Sequence, residues 1–219
     1  MVDKSFTVYG ARGSGSVPVE AALTLLGLPY EVVEGATWTF EPEVLERVRA
    51  VNPMVQIPTL ILPGGEIMAE SAAMLIWLAD SHPAGGLSPA LDDPRRAAFL
   101  RWMTFIPAAI YSLYWLRDDP GRIARDPADH AFVKQATADR IADCWEMMDS
   151  QLSPGRYLLG DQMTVLDLYV AVVSRWGPRR KVFYQRAPKM AEVVRRVDSD
   201  PRLAKFWAER FPFEDGWEG

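Results

Sequence analysis

Cysteine is almost absent. Cys144 is the only one in 219 residues, so an intrachain disulfide, a CxxC dithiol and a cysteine-rich metal site are all excluded. Histidine is nearly as scarce: His82 and His130 lie far apart in polar, turn-like stretches, a spacing that offers no metal-ligand set, and no metal is expected. Positive charge is outweighed, since 24 Lys and Arg against 29 Asp and Glu leave a formal net charge of −5. Nothing in that balance draws the chain to a phosphate backbone or an anionic bilayer, so neither nucleic acid nor a membrane is an expected partner. The densest basic run, Arg175 to Lys181, reads as a solvated helix end. No apolar run approaches ~18 residues and the opening MVDKSF has no signal-peptide core, which makes the cytoplasm the expected compartment.

What is present is an ordinary globular mix, 49% hydrophobic and 24% charged, over a length that suits one large domain or two of modest size. Phe6 to Tyr9 reads as a short strand. A Gly- and Ser-rich loop follows, GARGSGS, and then an apolar-periodic helix from Val17 to Leu26 that Gly27 and Pro29 stop. Tyr30 to Val33 is a second strand, so the opening is a βαβ unit with a parallel pair. A polar helical stretch, Glu41 to Ala50, precedes a hairpin in which Thr59–Leu62 and Glu66–Met68 flank Pro63-Gly64-Gly65. Ser71 to Asp80 completes the unit as a helix, with Ser71 a good N-cap.

From His82 to Pro94 the chain is broken by Pro83, Pro89, Pro94 and Gly85-Gly86, too interrupted for a helix or a central strand. The expected organisation is therefore an α/β domain over 1–82, a linker over 83–94 and an all-helical domain over 95–219. In the last, Arg95–Leu116, Ala128–Leu152, Thr164–Trp176, Pro188–Val197 and Pro201–Phe211 all read as helices. Thr164 with Asp167 three residues on, flanked by Met163 and Leu168, spells a capping box with a hydrophobic staple. Asp167 is thus structural rather than a catalytic acid.

Two short motifs suggest chemistry. In Gln56-Ile57-Pro58 a proline stands directly before an apolar strand. A trans, strand-initiating proline is one reading. A cis bond would instead turn the Ile57 N–H and C=O outward toward an extended peptide ligand. In Glu70-Ser71 an acid and a hydroxyl sit at a helix mouth. They form either a simple cap or a site for an α-amino acid end, with the carboxylate taken by helix N–H groups and the Ser71 hydroxyl, and the ammonium by Glu70.

The run VYGARGSGS…AALTLLGLPYEVV, then NPMVQIPTLIL, then ESAAMLIWLAD, in register over eighty residues, resembles the N-terminal domain of cytosolic glutathione transferases. The Thr164–Asp167 box resembles the one that opens a buried helix in their second domain. The resemblance implies a thioredoxin-like N-terminal domain followed by an all-helical C-terminal bundle, and a protein generally homodimeric. It also implies glutathione as a substrate, bound at Gln56, Ile57, Pro58, Glu70 and Ser71, with a cis Pro58, the Ile57 backbone pairing with the cysteinyl part, and Glu70 and Ser71 holding the γ-glutamyl end. Many relatives carry glycine where this chain has Val55. The basic residue that usually takes the glycyl carboxylate can be placed only loosely, at Arg12, Arg47 or Arg49.

The chemistry such a site needs is thiol activation. A thiol of pKa ~8.5 is only a few per cent ionised at pH 7, and a shift of two units requires about 2.7 kcal/mol. One charge-assisted hydroxyl bond together with a helix N-terminus is enough. Ser14 and Ser16 are the candidates, with Tyr9 more distant. Pro18 in the first turn makes Ser16 the N-cap and leaves Ser14 free, and Ser14 also resembles the serine of the Ser-Gly-X motif in serine-type members. A merely flexible Gly13-Ser14-Gly15 turn is the bland alternative. For a small apolar electrophile the resemblance implies the first long helix of the second domain, where Phe105, Tyr111, Tyr114 and Trp115 cluster and Pro107 is expected to kink the chain, with Trp38 outlying. The expected activity is detoxifying transfer of glutathione to that electrophile. The rival is a non-catalytic scaffold on the same fold.

Overall fold

The computed structural model describes residues 5–177, 180–216 and 218. Strand β1 (Phe6–Gly10), helix α1 (Val17–Leu26) and strand β2 (Tyr30–Glu34) form the expected βαβ unit. Helix α2 (Pro42–Arg49), strands β3 (Thr59–Ile61) and β4 (Ile67–Met68) and helix α3 (Ser71–Ser81) follow. The sheet order is β2-β1-β3-β4, with β1 and β2 parallel and the other neighbours antiparallel. This is the thioredoxin-like arrangement. Fully buried Val17, Val19, Ala21, Ala22 and Leu23 of α1 pack on the same core as Val8, Leu60, Met74 and Leu75.

The rest is helical: α4 (Arg96–Phe105), a π-helical turn over Ile106–Tyr111, α5 (Ser112–Asp118), α6 (His130–Gln151), α7 (Val165–Val173), α8 (Arg180–Arg186), α9 (Pro188–Asp198) and α10 (Ala204–Arg210). At Pro107, which has no N–H to give the ladder, the helix takes up its extra residue as a π-turn. Every residue of α7 is buried, and it packs against α1, α3, α4 and α9, which makes it the axis joining the two halves. Its capping box forms as expected. The Asp167 carboxylate accepts the Thr164 N–H at 2.7 Å and the Leu158 N–H at 2.8 Å.

Three expectations need correction. Arg175–Lys181 is not a solvated helix end, although Lys181 is exposed. Arg175 and Arg180 are buried; Pro178 and Arg179 lie outside the described residues. Arg180 pairs with Asp198, and Arg175 lies between the Phe211 and Phe213 rings while donating to the Phe211 and Pro212 carbonyls at 2.8 Å. A cation with ring faces and carbonyls on offer can leave water, and charge density in the sequence does not reveal those partners. The same run hides α8, whose Phe183 meets Trp145 edge-on at 5.2 Å. Finally, Ser71 is the first residue of α3 and not its cap. The cap position is Glu70, and the Ser71 hydroxyl turns to another partner.

Candidate functional site

The loop after β1 folds back on itself through two hydroxyls. Ser14 Oγ accepts the N–H groups of Ala11 and Ser16, both at 3.2 Å. Ser16 holds the cap position of α1, but its side chain makes no cap bond. It donates instead to Glu20 Oε1 at 2.6 Å. The two serine oxygens are 3.0 Å apart. Ser14 is therefore not the unengaged side chain that the sequence suggests. Its oxygen is occupied twice as acceptor, while its hydrogen can still turn from Ser16 Oγ to an incoming anion. The hydrogen of Ser16 is committed to a carboxylate, which binds it more strongly than a neutral acceptor.

That carboxylate is the part of the site that motif reading missed. Glu20 is fully buried and is held by Arg210, with Nε–Oε2 at 2.6 Å; Arg210 also reaches Glu34 at 2.8 Å. The Arg210 carbonyl takes the Gly13 N–H at 2.9 Å, and Trp176 Nε1 donates to the Gly13 carbonyl at 2.8 Å. The serine loop is thus clamped from the far end of the chain. Glycines at 10 and 15 make the closeness possible. A Cβ at Gly10 would fall 2.2 Å from Ser16 Oγ, and one at Gly15 would fall 2.2 Å from the Tyr111 hydroxyl.

The other motifs stand at the starts of β3 and α3. Tyr9 pairs with Thr59 across β1 and β3, which sets Pro58 beside the serine loop. The Ile57–Pro58 bond is cis. Ile57 is half-buried, its methyl lies against the position of a Gly35 Cβ at 3.1 Å, and among the described residues its N–H and C=O make no hydrogen bond. Gln56 is exposed, but its carbonyl is fixed by Asn52 Nδ2 at 2.9 Å. Val55 carries φ 54°, and Glu70 carries φ 67°. Left-handed backbone at a β-branched residue and at an exposed acid stores local strain of the kind that functional loops carry. Glu70 is exposed beside the first turn of α3, whose opening N–H groups have no acceptor within the helix. Ser71 is buried, its hydroxyl 2.7 Å from that of Tyr169.

The aromatic group divides. Tyr111 and Tyr114 both meet Trp176 edge-on, at 4.7 and 5.4 Å. Burial lifts each phenol to about 12, so both stay protonated at neutral pH. Phe105 pairs with Trp102 instead. Trp115 is exposed under the Arg122 guanidinium, and Trp38 is exposed in the turn after β2. Of the three arginines weighed for a carboxylate, Arg47 donates to the Glu34 carbonyl at 3.1 Å, and Arg12 and Arg49 are exposed. Among the described residues no group of three or more acidic, His or Cys side chains could hold a metal, and no helix is long and apolar enough to cross a membrane.

This architecture has known counterparts. The family model for the glutathione S-transferase N-terminal domain matches residues 15–81, and the model for the C-terminal domain matches 124–210. The uncharacterized GST-like protein YncG of Escherichia coli K12 is 31% identical over 196 residues, covering 90% of this chain and 94% of that one. A maleylacetoacetate isomerase of Rattus norvegicus is 26% identical over 186 residues, with 83% and 82% covered. A glutathione transferase homolog from Sulfitobacter, solved with bound glutathione, superposes with TM-score 0.80 at 26% identity, covering 94% of this chain and 97% of that one. With both domain models matched in order on a thioredoxin-like sheet and a helical bundle, the chain belongs to the glutathione S-transferase family.

Proposed function

We propose that this protein binds glutathione along the edge formed by Ile57, Glu70 and Ser71, stabilises its thiolate with Ser14, and delivers it to a small apolar electrophile held against the helical half. The observation that carries this reading is the ordering of the two hydroxyls. Glu20 fixes the Ser16 hydrogen, and two backbone N–H groups polarise Ser14, which leaves Ser14 as the hydroxyl with a hydrogen to give. A bond to an anion contributes about 1.5–3 kcal/mol, the scale that thiolate formation at pH 7 requires. The free Ile57 backbone fits the cysteinyl amide, and Glu70 with the start of α3 fits a zwitterionic amino acid end.

In this reading residues 1–82 hold glutathione, 83–94 link, and 95–219 hold the electrophile, with Tyr111, whose hydroxyl abuts Gly15, and Tyr114, against Trp176, beside the serine loop and Trp38, Phe105 and Trp115 peripheral. The working unit is a homodimer in the cytoplasm, acting in detoxification, and needs no metal. The solved homolog's bound glutathione supports the ligand, and the isomerase relative makes glutathione-dependent isomerisation a reaction to assay beside conjugation.

Calorimetric titration with glutathione, paired with an electrophile screen, tests the assignment. Ser14→Ala should retain glutathione but lose about 10- to 100-fold in turnover. Glu70→Ala should lose binding itself. A wild type that binds no glutathione at millimolar concentration would make the fold a non-catalytic scaffold here.

A further inference from the structure

The partner that Ser71 finds in place of a helix cap comes from the other half of the molecule. Tyr169 lies in the middle of α7, fully buried, and its hydroxyl stands 2.7 Å from Ser71 Oγ. Among the described residues neither hydroxyl makes a further side-chain or backbone bond through its oxygen. Two hydroxyls joined by one hydrogen bond hold two hydrogens, so one is left over. The phenol is the more acidic of the pair and is the natural donor. Burial raises its pKa first of all, with Tyr111 and Glu70 adding to the rise, so it keeps its proton across the neutral range. The spare hydrogen is then that of Ser71, at the first residue of α3, where the N–H groups of the opening turn have no acceptor in the helix.

We propose that Tyr169 is a positioning residue for the α-carboxylate of glutathione: by donating to Ser71 from behind, it turns the Ser71 hydrogen outward to that carboxylate. The inference rests on the glutathione reading above and extends it to a residue of the helical half. A chain of phenol, hydroxyl and carboxylate has each donor strengthened by the one before it. It also explains why a buried phenol sits where an apolar ring would pack as well. Without a carboxylate outside, a polar pair in that place gains little over a phenylalanine packed against an alanine.

The test is calorimetric titration of wild type, Tyr169→Phe, Ser71→Ala and the double variant, each with two ligands: glutathione, and the analogue in which γ-aminobutyrate replaces the γ-glutamyl group and so lacks the α-carboxylate. Tyr169→Phe keeps the ring, and a thermal melt checks that the fold survives. It should weaken glutathione about three- to tenfold while leaving the analogue as in wild type, and it should add nothing in the Ser71→Ala background. Equal losses for both ligands, an undiminished loss in the Ser71→Ala background, or no loss would each overturn the proposal. Ser71→Ala alone gives a second reading that needs no change in the core: the preference of the protein for glutathione over the analogue must shrink, and an unchanged preference overturns the proposal as well. A wild type that binds neither ligand fails at the earlier step, the glutathione reading, and takes this one with it.

Discussion

Ser14 and Ser16 are the same amino acid two positions apart, and their surroundings give them different work. One oxygen takes two backbone N–H groups and keeps a mobile hydrogen; the other surrenders its hydrogen to Glu20. Cys144 shows the same dependence on place. It is buried, its Sγ donates to the Ala109 carbonyl at 3.5 Å, and burial pushes the thiol up from its ordinary value. A thiol held neutral and shielded is a packing residue. Cys144→Ala should therefore leave glutathione turnover unchanged and cost about 1 kcal/mol in a denaturant titration. A large fall in turnover with the fold intact would mean that a protein thiol takes part. The strands and the serine loop were legible at this scale because glycine, proline and serine have local conformational meaning. The Ser16–Glu20 bond joins residues four apart, one helical turn, and helical spacing could have found it. The Ser71–Tyr169 bond spans 98 positions and left no local trace.

At the scale of elements, α7 shows what a buried charge does to a helix. Asp167 caps its start with hydrogen bonds from Thr164 and Leu158, yet burial outweighs them and lifts the carboxyl to about 6. In the unfolded chain the same group titrates near ~3.9. The folded state therefore holds the proton more tightly, and its stabilising effect is present below about pH 4 and lost as pH rises through about 6. The difference corresponds to at most about 3 kcal/mol. Denaturant titrations between about pH 4 and pH 7 should show stability falling with pH in this window, and Asp167→Asn should flatten that slope relative to wild type. An identical slope in the variant would remove Asp167 as its source. The capping box itself was readable from four residues in a row, but its depth was not, because burial depends on the elements that α7 packs against.

Across the whole molecule, the end of the chain holds the beginning. Arg210 pairs with Glu20 and accepts the Gly13 N–H through its carbonyl, Trp176 donates to the Gly13 carbonyl, and Phe211 packs over Gly13 while Arg175 pins Phe211. Glu20→Gln should remove the buried charge facing Arg210, leaving Glu34 as its carboxylate partner, and cost about 1–3 kcal/mol. It should lower the thermal midpoint and weaken glutathione binding together, as the serine loop loses its clamp. A variant with unchanged melting and binding would show that the pair is dispensable.

The order of the strands and of all helices but α8, the Pro- and Gly-broken stretch after residue 82 and the capping box came from hydrophobic period, turn residues and caps, all properties of a few consecutive side chains. Together with the family resemblance that those motifs carry, they were enough to nominate Ser14, Ile57, Glu70 and Ser71 as parts of one candidate site. Which arginine holds Glu20, which arginines leave water, and which tyrosine stands behind Ser71 were decided by contacts between residues as much as 190 positions apart. Hydrogen-bond direction and burial are properties of the neighbours a side chain meets, and only the folded chain brings those neighbours together.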